Sequence, residues 1–291
     1  MMTETALACA KVNISLDIVS KMADGYHSMK MVMQTVSLAD EITISVEVGG
    51  GVTVDPGLPF LPGDNRNIAV KAALAFYKRA GIDGYKTHIK IKKNIPVCAG
   101  LGGGSADGAC VLRLLDKLFQ TSMGRRGLES IGYEVGADVP FCVDGGTSLA
   151  EGRGEILKNL PPLPKCHIVI CKPPFSISTP KLFGLVKCEK IKARPDTDGI
   201  ILALEQGELD AVAKRMYNVF EDILPKGAKE IEEIKNKMHD AGALGAVMTG
   251  SGPSVLGIFN DRHMAVDSYN RLKRSYRECY LAKTVERLGY T

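Results

Sequence analysis

PVCAGLGGGSADGA, Pro96 to Ala109, decides how the chain is read. Glycine fills Gly100, Gly102, Gly103 and Gly104, Ser105 follows, and ADGACVLRLLDKLF (106–119) predicts a helix. Upstream, THIKIKK (87–93) alternates in polarity with period two and predicts a strand. The order is therefore strand, glycine loop, helix. Glycine admits φ > 0 and lets a ligand approach the main chain closely. Free N–H groups at a helix N-terminus, reinforced by the helix dipole, attract anions. The expectation is a phosphate cradle. It is not a Walker A loop, which ends in Gly-Lys-Ser/Thr, because no lysine precedes Ser105. Nor is it the dinucleotide fingerprint, because the sixth position counted from Gly100 is Ser105. The competing reading is a tight helix start with no ligand, set against the backbone entropy that so many glycines cost on folding.

The rest of the chain gives that loop an ordinary globular setting. Its 291 residues suggest about two domains, and 45% hydrophobic with 24% charged residues fits a protein with a substantial core. The net charge of +4 comes without a basic block, so nucleic acid is not an expected partner. The eight cysteines include no C-x-x-C pair, and with no recognisable signal peptide the expectation is reduced thiols in a cytoplasmic protein. No apolar run approaches about 18 residues, so no membrane partner is expected.

Working outward, ALACAKVNISLDIV (6–19) predicts a strand carrying Lys11 and Asn13 among apolar neighbours. Such a lysine either snorkels to solvent or has a buried partner. ADGYHSM (23–29) is a turn with an aromatic and a histidine. VMQTVSLADEITISVEV (32–48) continues as strands, with Asp40 and Glu41 at a turn. Residues 63–81 predict a helix capped by Asn65 or Asn67 and closed by Gly81. Asp138 lies in GADVPF (136–141), either as a helix cap or as a carboxylate acting as a base. Glu151 to Glu155 form a glycine-punctuated turn. A domain boundary is expected at LPPLP (160–164), dividing the chain into 1–162 and 163–291. Beyond it come a buried strand (166–173), a helix capped at Thr179 with Pro180 first, helical stretches 197–220 and 228–240, a strand–glycine turn–strand (246–259), a helix (261–276) and a last strand in ECYLAKTV (278–285).

Taken in order, AKVNISLDIVSKMADGYH (10–27), PVCAGLGGGSADGA, GADVPF and MTGSGPSVLGIF (248–259) resemble the GHMP small-molecule kinases, nearly end to end. Within that superfamily, ADGYH resembles the members that phosphorylate a hydroxyl of a methylerythritol unit carried on CDP. The resemblance implies an α+β two-domain fold, with an N-terminal α/β ATP-binding domain, a C-terminal ferredoxin-like domain and the active site in the cleft between them. It implies ATP, with Mg²⁺ as phosphoryl transfer requires, a small-molecule substrate, and a monomer or weak homodimer. Carried over residue by residue, Asp138 is the catalytic base and Lys11 its partner. Gly102, Gly103, Gly104 and Ser105 cradle the ATP phosphates, Pro96, Gly100, Leu101 and Ala106 belong to the same ATP site, and Asn67, Ile68 and Lys93 surround adenine. Asn13, Tyr26, His27, Met33, Thr179, Phe183, Gly250, Ser251 and Gly252 face the substrate, with His27 at the cytosine and Phe183 stacking. No metal ligands are assigned.

This chain departs from the family pattern at three places. The loop has Ser-Ala-Asp where the family has Ser-Ser-Asn, so Asp107 brings a charge either toward the phosphates and metal or away from them. Met33 replaces a phenylalanine. Gly-Ser-Gly-Pro (250–253) replaces Gly-Thr-Gly-Ala. Two local expectations follow: Gly103 carries φ > 0 or lets a phosphate approach, and Ser105 caps the helix or touches phosphate or metal. The alternatives are another GHMP kinase, acting on mevalonate phosphates, homoserine or a sugar, and a catalytically silent sensor on the same fold. Keeping both Lys11 and Asp138 argues against the sensor.

Overall fold

The structure is a computed structural model that describes residues 1–224 and 229–288. Two long strands organise the first half. β1 (Met2–Lys21) and β2 (His27–Val48) run antiparallel, joined by a turn that pairs Lys21 with His27. The outer part of β1 alternates between exposed and buried positions, whereas Ala10 to Ile18 is buried throughout. That stretch is covered on both faces, which is why it reads as an apolar run interrupted by Lys11 and Asn13. β2 is continuous, so Asp40 and Glu41 do not form the expected turn. Aspartate is poor in strands, but Asp40 is fully buried here because other residues hold its carboxylate, as described below.

β3 (Gly51–Asp55), α1 (Ile68–Ala80), β4 (Tyr85–Lys92), α2 (Gly103–Phe119), α3 (Gly124–Val135), α4 (Val139–Asp144), β5 (Thr147–Gly152) and β6 (Ile156–Asn159) complete this half. Of the two caps the sequence offers, Asn67 caps α1 by accepting a hydrogen bond from Ala69 N at 3.0 Å, and Gly81 closes the helix at φ 65° as expected. The sheet order is β3-β4-β2-β1-β8, with β5 on β2 and β6 on β5. α2 lies over β1 and β2.

The second half contains β7 (His167–Lys172), α5 (Thr179–Leu185), α6 (Thr197–Gln206), α7 (Leu209–Ala213), β8 (Tyr217–Asn218), α8 (Lys229–Asp240), β9 (Gly245–Met248), β10 (Val255–Phe259), α9 (Arg262–Lys273) and β11 (Glu278–Lys283). The sheet β11-β7-β10-β9 is antiparallel throughout. With α8 and α9 as its crossovers it has the β-α-β-β-α-β order of a ferredoxin-like layer. Two local expectations need correction, and a third lies partly outside the described residues. The stretch 197–220 is not one helix, because Gly207 ends α6 at φ 71° and β8 leaves to pair parallel with β1. α5 takes Ser178, not Thr179, at its N-cap position. The expected helix at 228–240 has its first residue outside the described residues. Among the described residues, no helix is long and apolar enough to cross a membrane.

The C-terminal strap returns to the first half. Val285 N donates to Thr35 O, and Leu288 N donates to Asp144 O. Arg287 reaches Asp144 at 3.1 Å, and Arg125 reaches the same carboxylate at 2.9 Å. The C-terminal end of α4 is thereby anchored.

Candidate active site

The loop between β4 and α2 carries its left-handed glycines at Gly100 (φ 76°) and Gly102 (φ 65°); Gly103 already has helical geometry. The expectation of φ > 0 at Gly103 is corrected accordingly. A Cβ on Gly103 would lie 3.1 Å from Ile95 Cγ2, so this glycine packs closely on Ile95 beneath the loop. A Cβ on Gly102 would lie 2.9 Å from Lys11 Cγ, and one on Gly100 would lie 2.2 Å from Thr249 O. The loop thus presses on the strand carrying Lys11 and on the turn that follows β9. Lys11 N donates to Leu101 O at 3.0 Å and fixes that approach.

Gly102 occupies the N-cap position of α2 and has no side chain to cap it. Ala106 N is bonded to Gly102 O at 2.8 Å, the first bond of the helical ladder. The N–H groups of Gly103, Gly104 and Ser105 precede that ladder and have no partner within the helix. Ser105 stands inside the first turn, so the reading of it as an N-cap is also corrected. Gly104 is exposed and Ser105 half-buried, which leaves this end of the helix open to an anion. Pro96, Leu101 and Ala106 are buried, so they shape the loop from beneath.

Lys11 is only 5% exposed. Its ammonium donates to Asn13 Oδ1 at 2.9 Å and faces Asp138 Oδ2 at 3.3 Å, so it does not snorkel. Asp138 immediately precedes α4, yet its side chain makes no capping bond, which removes the structural reading of this carboxylate. Its side chain is 32% exposed. A buried cation beside a reachable carboxylate, with a glycine-headed helix end against the same lysine, can accept a proton and hold a phosphoryl group.

Lys93 behaves differently from the expectation. Its ammonium points inward, bridging Asp40 and Asp107, with Asp107 Oδ2 at 2.8 Å. Asp40 Oδ1 also accepts from Asn94 N at 2.6 Å and Ile95 N at 2.8 Å. Any contact of Lys93 with adenine therefore has to come from its backbone. Asp107 faces Lys93 and not the helix end, which settles the direction of the Ser-Ala-Asp departure. Burial pushes the Asp107 carboxyl up to about 7; Lys93 opposes that rise and Asp40 adds to it. A carboxyl whose pKa is raised by folding contributes stability below its unfolded pKa, and this contribution is lost as pH rises toward 7. Asp107→Asn should therefore flatten the fall of melting temperature between pH 5 and 8 relative to the parent; melting curves across that range check it.

Asn67 spends its side chain on the α1 cap and on Pro62 O, and Ile68 Cδ1 would lie 3.3 Å from a Cβ on Gly104. Pro96 and Lys93 instead line a cavity of about 400 Å³ with Phe60 and Tyr280. Neither Asn67 nor Ile68 lines this cavity.

On the substrate side, Tyr26 stands 58% exposed at the β1–β2 turn, with its N–H donating to Asp24 Oδ1 at 3.0 Å. The ring of His27 lies 5.3 Å from that of Phe183, which meets Phe220 edge-on at 5.0 Å. His27 Nε2 is buried and has no hydrogen-bond partner among the described residues. Burial, then Lys21, holds the imidazole below its ordinary pKa, so it is neutral near pH 7. Phe220 was not singled out by sequence because it lay within the stretch read as helix. Thr179 Oγ1 and Ser251 Oγ share a hydrogen bond of 2.6 Å. Gly250 and Gly252 have φ of 58° and 76°, and a Cβ on Gly250 would lie 2.8 Å from Gly100 O. The glycine turn of the second half therefore rests on the glycine loop of the first. Asn13 N donates to Thr249 Oγ1 at 2.9 Å across the same seam. Met33 is corrected: at 0% exposure, inside β2 opposite Asn13, it is closed off from the cleft and supports the wall from behind.

Residues 67–146 match the GHMP kinases N terminal domain and residues 200–278 match the GHMP kinases C terminal. Fold, paired glycine turns and the Lys11–Asp138 pair agree in making this chain a GHMP kinase. It is 41% identical over 278 residues to the 4-diphosphocytidyl-2-C-methyl-D-erythritol kinase of Clostridium botulinum (strain Loch Maree / Type A3), covering 96% of this chain and 99% of the relative. It is 43% identical over 280 residues to the kinase of the same name from Caldicellulosiruptor saccharolyticus, covering 96% of each. A crystal structure of 4-(cytidine 5'-diphospho)-2C-methyl-D-erythritol kinase superposes with a TM-score of 0.81 at 30% identity, covering 97% of this chain and 99% of that one. The chain belongs to the 4-diphosphocytidyl-2-C-methyl-D-erythritol kinase family. A homoserine kinase from Cytophaga hutchinsonii superposes with a TM-score of 0.75 at 19% identity, and that likeness concerns the fold alone.

Proposed function

We propose that the protein transfers the γ-phosphoryl group of ATP to the 2-hydroxyl of 4-diphosphocytidyl-2-C-methyl-D-erythritol, a step in the non-mevalonate route to isopentenyl diphosphate. The observation that carries the mechanism is the Lys11–Asp138 pair at 3.3 Å, with Gly102 of the helix start packed against Lys11. Phosphoryl transfer asks mainly for positioning and charge stabilisation. The free N–H groups at Gly103 to Ser105 cradle the phosphates, Asp138 accepts the proton of the attacking hydroxyl, and Lys11 steadies negative charge on the transferring group. Bound with the nucleotide, Mg²⁺ would neutralise phosphate charge at the cradle of Gly103 to Ser105. The Gly250–Gly252 turn and the Thr179–Ser251 hydrogen bond close the site from the second half.

The cytosine is placed at Tyr26, His27 and Phe183. A neutral histidine with an unused ring nitrogen beside stacked aromatic rings suits a base. His27→Ala should raise KM for the cytidine substrate about tenfold or more while leaving KM for ATP within about twofold, since losing a hydrogen bond to a buried polar group costs about 1–3 kcal/mol. Steady-state kinetics varying each substrate in turn check this, and equal weakening of both would make the turn structural. The protein is placed in the cytoplasm, working on small molecules, as a monomer or weak homodimer. The division at residue 162/163 is supported by the first sheet reaching Asn159 and the second starting at His167, with β8 and the C-terminal strap crossing back.

A further inference from the structure

The C-terminal strap, residues 284–288, leaves the second sheet after β11 and lies across β2 and the end of α4. Thr284 bridges Val36 and Arg287 bridges Gly145, both antiparallel. Val285 N donates to Thr35 O at 3.0 Å, and Val285 O accepts from Gln34 Nε2 at 3.0 Å. Gln34 is 1% exposed and accepts in turn from Thr147 Oγ1 at 2.6 Å. Two left-handed glycines make room for the strap. A Cβ on Gly145 (φ 70°) would lie 2.7 Å from Thr35 Oγ1, and one on Gly146 (φ 77°) would lie 2.6 Å from Arg287 Cγ.

The strap reaches both members of the reacting pair through one intermediary each. Thr35 stands directly opposite Lys11 in the β1–β2 ladder, and its N–H donates to Gly146 O at 2.9 Å. Asp144 is the last residue of α4, whose six residues are all buried and begin immediately after Asp138. A helix of that length spans about 9 Å, short and stiff enough to carry a shift at one end to the other. Arg287 holds the far end: Nη1 reaches Asp144 Oδ2 at 3.1 Å, and Nη2 donates to Thr147 O at 2.7 Å. One planar fork thus ties α4 to the start of β5, which the single ammonium of a lysine does not reproduce. Arg125 reaches the same Asp144 oxygen at 2.9 Å. Asp144, 4% exposed, therefore keeps a cation when Arg287 is removed, and no uncompensated charge is left in the interior.

We propose that Arg287 is a positioning residue for the phosphoryl transfer. Through the strap it fixes α4 and the strand opposite Lys11, and so sets the spacing of Asp138 and Lys11. The proposal rests on the reading of these two residues as the reacting pair. Its test is kinetics with ATP and 4-diphosphocytidyl-2-C-methyl-D-erythritol on the parent protein, Arg287→Ala, Arg287→Lys and Asp138→Asn, well below their melting temperatures. Rates are referred to the protein that binds ATP, so a smaller folded fraction does not count as a slower enzyme. Arg287→Ala should lose about tenfold or more in kcat with KM for both substrates within about twofold of the parent, because misplaced reacting groups cost the transition state and not ground-state binding. Arg287→Lys, which keeps the charge without the fork, should recover part of that loss. Added methylguanidinium should raise kcat in Arg287→Ala and leave Asp138→Asn as slow as before. If Arg287→Ala does not fold, Arg287→Gln takes its place and the same split between kcat and KM decides. An unchanged kcat with only a lower melting temperature would make the strap a structural tie and overturn the proposal. So would a rise in KM without loss of kcat, or a loss of kcat that neither methylguanidinium nor lysine lessens. An Asp138→Asn variant with its kcat intact would instead overturn the reading of the reacting pair, and this proposal with it.

Discussion

Asp138→Asn retains ATP binding and loses about 10²–10⁴ in kcat, the usual contribution of a positioned general base. The side chain keeps its size, and the carboxylate it replaces has no capping bond to lose, so the fold has little reason to respond. What changes is chemical. The amide cannot take the proton of the attacking hydroxyl, and the Lys11 ammonium loses the negative partner that stands 3.3 Å away. The ATP-induced rise in melting temperature should persist, because the free N–H groups of the cradle belong to α2 and not to α4. Single-turnover kinetics together with melting in the presence of ATP and Mg²⁺ separate the two effects. A variant with most of its kcat intact would return Asp138 to a structural role.

Gly102→Val abolishes the ATP-induced stabilisation and lowers kcat by about 10²-fold or more, the scale of loss when reacting groups are misplaced by about 1 Å. Two causes act at one atom. Gly102 has φ 65°, where a β-branched residue is strained by roughly 1–2 kcal/mol. Its Cβ would also stand 2.9 Å from Lys11 Cγ and 3.2 Å from Lys11 Cε, so the lysine or the helix start must move. The strain is a modest part of the roughly 5–15 kcal/mol that holds a domain together, so the variant should fold. Melting with and without ATP and Mg²⁺ is the measurement. A full ATP-induced rise in the variant would mean that the glycine loop is only a turn.

These two residues also show what sequence made legible and where it stopped. The strand–glycine loop–helix order, the α1 caps at Asn67 and Gly81, and the β1–β2 turn rest on contacts close along the chain, so local pattern suffices. Which glycine needs the left-handed conformation is not local. Four glycines in five positions look alike until β1 and the Thr249 turn press on two of them, while Gly103 packs on Ile95 instead. Lys11 admitted two local readings, and only Asp138, far along the chain, decides between them. Asp40 looked like a turn residue because its partners, Lys93 and the N–H groups of Asn94 and Ile95, lie on another strand's end. The same long-range ion cluster pairs the side chains of Lys93 and Asp107 with each other. The parallel pairing of β8 with β1 broke a stretch whose composition is helical, a tertiary contact overriding local preference. Met33 occupies its expected place in the strand but lies behind the cleft wall, a distinction that spacing cannot make.

The central claim is the reaction itself, and release of ADP tests it most directly. The purified protein with ATP and Mg²⁺ is assayed in a coupled ADP assay with 4-diphosphocytidyl-2-C-methyl-D-erythritol, with mevalonate and with homoserine. The account predicts ADP release, stoichiometric with phosphorylated product, for the cytidine substrate alone. Turnover of mevalonate or homoserine in its place, or binding of the cytidine substrate with no turnover, would contradict it.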